Sequence, residues 1–329
     1  VPLEVQWTYR AKSLIRSAPV VDRARVYFGT GDGRLIALDR RRGRPDWQVK
    51  KEYEFEAPPL IYDGAVYVGN ADTNLYAFDA ANGRERWRFR CEDRILGSVT
   101  VAGAGMAAAR LIIGSYDNRV YALDPADGRE LWRVETDNFV NGAAAAAGGR
   151  IVIGSCDGVL RVLSREGKNI RRIRIGRYIA GSAALKEGTA YFGHYREEIM
   201  AVSVIDGRTL WRTDDDGRLG AVVATPAVDD DLVIIGSRAA VLLALDRKTG
   251  QVEWRFRASA GIDGSAVIVG NKVVFGSGDG RLYVLRRDDG RLLFEYEIGS
   301  PILTTPAVAY NQVYVTAKDG SVWAFRTAR

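Results

Sequence analysis

The chain has 329 residues, 47% of them hydrophobic, with 36 glycines against 9 prolines and a formal net charge of +6. That composition is globular and rich in turns, with material for a sizeable core, which excludes a disordered chain. No apolar run approaches the roughly 18 residues of a membrane-crossing helix, and the alanine-rich stretch 142–149 is too short.

The chain opens with Val5-Gln6-Trp7-Thr8-Tyr9-Arg10, an aromatic strand with no partner nearby in sequence. A repeat then begins at Phe28-Gly29-Thr30. It recurs at Val68-Gly69-Asn70, Ile113-Gly114-Ser115, Ile153-Gly154-Ser155, Phe192-Gly193-His194, Ile235-Gly236-Ser237 and Phe275-Gly276-Ser277. An eighth copy, Val315-Thr316-Ala317, lacks the glycine. From Gly29 to Thr316 the steps are 40, 45, 40, 39, 43, 40 and 40 residues, a period that means propeller blades or helical repeats. Strand chemistry decides between them. The second unit runs Glu56 to Leu60, Ala65 to Gly69, Asn74 to Asp79 and Glu85 to Phe89, with period-two alternation and turn residues between short segments. That pattern predicts four antiparallel strands per unit and no helix.

Within the units a second motif, Ala-x-Asp-x-x-x-Gly-x-x-x-Trp, recurs in chain order. It is complete at Ala37/Asp39/Gly43/Trp47, Ala77/Asp79/Gly83/Trp87 and Ala122/Asp124/Gly128/Trp132. The fourth unit departs, with Ser164, an early Gly167, and arginine where tryptophan belongs. Ala201/Ser203/Gly207/Trp211 follows with one substitution, Ala244/Asp246/Gly250/Trp254 is complete, and Val284/Arg286/Gly290/Phe294 is degraded. Glycine suits the positive φ of a hairpin turn, aspartate can bond turn amides, and tryptophan offers a flat face to wedge between blades. The last unit stops at Arg329 without a fourth strand, and the first ten residues supply one. Trp7 then becomes the docking tryptophan of blade 8.

The expected fold is therefore all-β: a single domain, 1–329, forming an eight-bladed propeller. Residues 1–10 are the outer strand of blade 8, blades 1–7 span about 14–298, and the inner strands of blade 8 span about 299–329. Closing the ring in this way removes an exposed sheet edge, and a monomer is expected.

The repeated motif resembles the tryptophan-docking motif of the pyrroloquinoline-quinone (PQQ) dehydrogenase superfamily, over essentially the whole chain. Enzymes of that superfamily hold PQQ and calcium, use a catalytic aspartate, often join adjacent cysteines, and carry long insertions. Here Cys91 and Cys156 lie far apart, blade spacing never exceeds 45 residues, and no residue is assignable to quinone or calcium. The resemblance thus implies the non-catalytic branch, BamB-like scaffolds of outer-membrane assembly or propeller sensor domains. It carries no cofactor and no metal, a protein partner, and a periplasmic or cell-surface location with any signal or anchor outside the given chain. The alternatives are a small-ligand sensor using the channel mouth and, behind it, a PQQ-dependent dehydrogenase.

Other chemistry is sparse. His194 is the only histidine, which excludes a His-rich metal site; beside Glu197 it has the makings of a general base but reads as a turn residue. Asp214-Asp215-Asp216 with Gly217 offers carboxylates for calcium yet reads as a solvated loop. Gly31-Asp32-Gly33 and Gly278-Asp279-Gly280 open strands rather than helices and are hairpin turns, not phosphate loops. The basic residues are interleaved with acids, as in Asp288-Asp289-Gly290-Arg291, so no stripe for nucleic acid forms.

A partner face is expected where outer strands connect to the next inner strands. That face collects Tyr53, Phe55, Arg94, Asn138, Phe139, Arg177, Tyr178 and Arg218, with His194 and Tyr195 from a turn. Arginine and aromatic side chains dominate interface hot spots. The competing expectation is that Phe139 and Tyr178 only pack at the inner-strand entrances.

Overall fold

The computed structural model describes residues 2–105, 108–179, 181–213 and 217–328. Among them there is no α-helix, and the strands form eight four-stranded antiparallel sheets. Blade 1 is built from Val20–Val21, Arg25–Gly29, Arg34–Asp39 and Pro45–Lys50, and blades 2 to 7 repeat that order. Blade 8 takes Ala307–Ala309, Gln312–Thr316 and Ser321–Thr327 from one end of the chain and Leu3–Arg10 from the other. Trp7 pairs with Ala324 and Arg10 with Ser321, so the N-terminal strand closes the ring as expected.

The core is a ring of interblade layers rather than one centre. Tyr27, Leu35 and Ala37 of blade 1, for example, pack on Val66, Val68 and Phe78 of blade 2. Second and third strands are covered on both faces, so Arg25–Gly29 and Arg34–Asp39 are buried along most of their length. Only the outer strands alternate between exposed and covered positions, as in Pro45–Lys50, because one face meets solvent.

Six of the seven tryptophans join blades in a fixed way. Each indole ring lies on the hairpin glycine of the following blade: Trp7 on Gly43, Trp47 on Gly83, Trp87 on Gly128, Trp132 on Gly167, Trp211 on Gly250 and Trp254 on Gly290. Each Nε1–H donates to a carbonyl of that same turn, from Trp7 to Arg40 at 2.9 Å through Trp254 to Arg287 at 2.7 Å. A side chain on Gly43, which has φ +67°, would collide with the ring and strain the turn. The aspartates act as expected, with Asp39 Oδ1 accepting the amides of Arg41 and Arg42.

The two degraded copies have physical causes. In blade 4 the arginine at the tryptophan register is Arg171, opposite Val162. Its stem covers Gly207 and its Nη2 donates to Ile205 O at 2.8 Å, so guanidinium replaces indole in both contact and bond. In blade 7 the ring is Phe294, and the following blade has no hairpin there because its strands come from opposite chain ends. No turn carbonyl waits, and a ring without N–H suffices.

The repeated glycines Gly29 to Gly276 answer a different demand. Each faces one apolar side chain at the entrance to the next blade: Phe55, Ile95, Val140, Ile179, Val222, Ile262 and Ile302 in turn. A Cβ on Gly69 would sit 2.5 Å from Ile95 Cγ2. At the eighth position Thr316 is fully buried, donates to Ser17 O at 3.0 Å and lies 2.8 Å from Thr304 Oγ1, so hydroxyls fill the space.

This finding corrects one expected partner residue. Phe55 is fully buried, because it is the plug against Gly29 rather than a tip of the connection. His194 is corrected likewise: it is fully buried, and its backbone carbonyl accepts the Val222 amide.

Candidate functional site

The propeller has two unlike faces. One carries the outer-strand hairpins, where ion pairs cross between blades: Arg287 with Asp229 at 2.5 Å, Arg247 with Glu187 at 3.0 Å and Lys186 with Asp230 at 2.6 Å. The other carries the connections between blades, stitched to the turns between second and third strands by bonds such as Lys51 N to Gly33 O. The connection face gathers more exposed aromatic rings, Tyr53, Phe139, Tyr178 and Tyr195, against Tyr310 on the other.

At each connection one residue stands at the tip and the next plugs the core. Arg94, Phe139 and Tyr178 are tips, exposed, and are followed by the buried Ile95, Val140 and Ile179. Phe139 is 44% and Tyr178 61% exposed, so neither packs at an inner-strand entrance. In blade 2 the tip is Glu54, which is why Phe55 goes inward.

The structure gathers the expected residues into two neighbouring groups. Phe139 stacks on Tyr116 with centroids 5.0 Å apart, and the Arg94 guanidinium lies 4.9 Å from the same ring. Arg177, Tyr178 and Tyr195 line a cleft of about 360 Å³ together with Asp157, Gly158 and Arg196. Asn138 is half-buried, and its Oδ1 accepts the Phe139 amide. Tyr53 is exposed in the blade 1–2 connection, apart from these groups, and Arg218 is exposed after the blade 5 outer strand. The run Asp214–Asp216 lies outside the described residues. Tyr116 and Arg196 went unread in the sequence; comparing turns copy by copy would have found Arg196, which stands where Asp72, Asp117, Asp157 and Asp279 stand.

Two buried groups support the cleft. Arg161, 1% exposed, donates to Asp157 Oδ2 at 2.6 Å and to Ser155 Oγ at 2.8 Å. It takes the place of Tyr76, Tyr121 and Tyr283, whose hydroxyls donate to Asp72, Asp117 and Asp279. Burial alone would raise the Asp157 carboxyl, but Arg161 and Ser155 hold it down at about 2. His194 Nδ1 accepts the Arg196 amide at 3.1 Å, which puts the ring proton on Nε2, 3.0 Å from Glu198 Oε2. Burial lowers its pKa despite Glu198, so the ring is neutral at physiological pH. A neutral, enclosed imidazole holding a turn is a structural element.

The calcium site that the resemblance would bring has no grouped ligands among the described residues. Among the described residues no three His, Cys, Asp or Glu side chains are grouped to hold a metal ion. Both cysteines are free, and Cys91 is buried. No helix of the structure is long and apolar enough to cross a membrane.

Eight blades closed by the N-terminal strand and locked by tryptophan on glycine define a quinoprotein-type propeller. The chain belongs to the outer membrane protein assembly factor BamB family, whose model matches residues 4–88, 83–171, 157–300 and 257–329. Among its relatives, the BamB of Burkholderia pseudomallei is 34% identical over 122 residues, 36% of this chain and 31% of that protein. The BamB of Salmonella typhimurium is 26% identical over 190 residues, 54% of this chain and 47% of that protein. The chain thus spans about a third to a half of the length of these curated relatives. The crystal structure of BamB from Moraxella catarrhalis superposes with a TM-score of 0.82 at 19% identity, covering 99% of this chain and 100% of that one. Quinohemoprotein alcohol dehydrogenase from Comamonas testosteroni gives 0.83 at 15% identity, covering 99% and 77%. At such identities the likeness speaks for the fold alone.

Proposed function

We propose that this propeller is a monomeric, non-catalytic scaffold that works outside the cytoplasm in an envelope complex of the outer-membrane-assembly kind, binding a protein partner on its connection face. One observation carries the reading: Arg177, Tyr178 and Tyr195 stand exposed around a single cleft on the connection face. Exposed arginine and tyrosine beside a concavity are what interface anchors look like, and membership of the BamB family supports the same reading. The test is a pull-down titration against the detergent-solubilised outer-membrane assembly complex. Substituting Arg94, Arg177 and Tyr178 together by alanine is expected to weaken capture at least ~tenfold with the melting temperature nearly unchanged. Unaltered capture, or loss only through unfolding, overturns it. Incubation with PQQ and calcium followed by a dye-linked oxidation assay is expected to give background; saturable quinone binding with turnover would overturn the non-catalytic reading.

A further inference from the structure

Blades 4 and 5 depart from the repeat at several positions that meet in one place. Four of the eight third strands carry an aromatic ring at one register, Tyr76, Tyr121, Tyr283 and Trp323, and three of these close the space beside a ring of the preceding outer strand: Tyr121 against Phe89 and Tyr283 against Phe256, both at 5.3 Å, and Trp323 against Tyr296 at 5.8 Å. Between blades 4 and 5 the same registers hold Ile173 and Met200. Beside them lies a groove of about 400 Å³, lined by Arg174, Arg177, Arg196, Glu198, Met200 and Arg212.

The charges of this groove are also a departure. Elsewhere the arginine opposite the third-strand ring is neutralised, as Arg133 is by Glu130 at 2.7 Å and Arg88 by Glu85 at 3.9 Å. Opposite Val202, at the register of those two glutamates, stands Thr209, and among the described residues no carboxylate pairs with Arg212. Arg196 stands where six other turns carry aspartate. Among the described residues none of Arg174, Arg177, Arg196 and Arg212 has an ion-pair partner, and Glu198 is engaged with His194. Four arginines gathered around the single carboxylate of Glu198, whose partner His194 is neutral, leave an excess of positive charge that works against the compact state, and a bound carboxylate would relieve that repulsion through fork-shaped contacts.

We infer that this groove binds an acidic segment of the partner protein, with an aromatic or apolar residue beside the carboxylates. The inference rests on the scaffold reading above and names the chemistry of the occupant. Arg177 and Arg196 line both the groove and the adjacent cleft, so a segment laid across them passes from arginines to Tyr178 and Tyr195. The site is concave and short. A membrane surface needs a protruding basic patch, and single-stranded nucleic acid needs a longer track with successive stacking rings.

Fluorescence anisotropy with a labelled peptide containing Glu-Glu-Tyr-Glu-Glu, against the same peptide with glutamine for glutamate, tests this on the full chain. Saturable binding of the acidic peptide alone is expected, weakening as salt is raised. Arg196→Glu with Arg212→Glu should cost at least ~tenfold, and Arg41→Glu with Arg42→Glu on the opposite face should cost nothing. Restoring the repeat residues, Met200→Tyr with Thr209→Glu, should abolish binding while the melting temperature holds or rises. Equal binding of the glutamine peptide, binding that survives both groove variants, or preference for phosphatidylglycerol vesicles or oligothymidine overturns the inference. Capture of the assembly complex remains sensitive to the separate alanine triple variant, so failure of the peptide arm alone leaves the scaffold reading standing.

Discussion

The indole Nε1 of Trp7 donates to the carbonyl of Arg40 at 2.9 Å, and its ring covers Gly43. Five other pairs of blades share this indole joint, but here the tryptophan comes from the strand that completes blade 8. The ring of blades is therefore locked by the first residues of the chain. Trp7→Ala should cost about 3–5 kcal/mol, as large ring truncations in cores do. Trp7→Phe, which loses mainly the hydrogen bond, should cost nearer ~1 kcal/mol. Deleting the residues before Lys12 strips the outer strand and exposes the strand Ser321–Thr327, so aggregation or a large fall in stability is expected. A truncated chain melting within a degree or two of the intact one would contradict closure by this strand.

Arg171 offers the converse test. It serves as the blade 4 joint through its stem and one bond to Ile205 O, while its Nε is buried without a partner. Arg171→Trp restores the ring used at the other joints and should raise the melting temperature. Arg171→Ala should lower it, since both packing and the bond are lost. If tryptophan proves more damaging than alanine, blade 5 has adapted its turn to arginine alone.

Gly276 and Ile302 should behave as a coupled pair. A methyl on Gly276 would overlap Ile302 Cγ2, so Gly276→Ala is expected to destabilise by about 1–3 kcal/mol through overpacking. Ile302→Ala leaves a cavity and should cost about 2–5 kcal/mol. The new methyl partly fills that cavity, so in chemical denaturation the double variant should lose less than the two single losses added together. Strict additivity would mean the contact does not restrict this glycine.

Acid stability carries the mark of Asp157. Its folded pKa, about 2, lies below the ordinary 3.8 because Arg161 and Ser155 favour the charged form over the opposing effect of burial. A depressed carboxyl adds stability that is complete above pH 3.8 and fades as pH falls from there through about 2. Asp157→Asn should therefore weaken the protein at neutral pH, and its deficit against the unaltered chain should shrink across that acid interval. Urea titrations at stepped pH measure it, and a deficit constant with pH would exclude this role.

The repeat length, the number of blades and the closure by Trp7 are readable from the sequence alone, because each is a local pattern copied many times. Glycine in a turn, aspartate at its start and tryptophan four residues on are demands that the backbone and the next blade make alike in most copies. Even the departures at the fourth and seventh copies show in the letters, though not their causes. Those causes belong to the neighbouring blade: Arg171 works because Ile205 O is in reach, and Phe294 suffices because no hairpin faces it. The candidate site is legible only in part. Arg177, Tyr178 and Tyr195 stand out as exposed types on the right face. Whether a connection residue is a tip or a plug depends on a shift of one position, which sends Phe55 inward and leaves Tyr178 outside. That shift is decided by which side chain meets the glycine of the preceding blade. The groove of Arg174, Arg196 and Arg212 is likewise invisible in any single segment, since it forms where a missing ring on one blade meets the strand end of another. Repetition writes the fold into the sequence, and packing between blades decides where the repetition is broken for use.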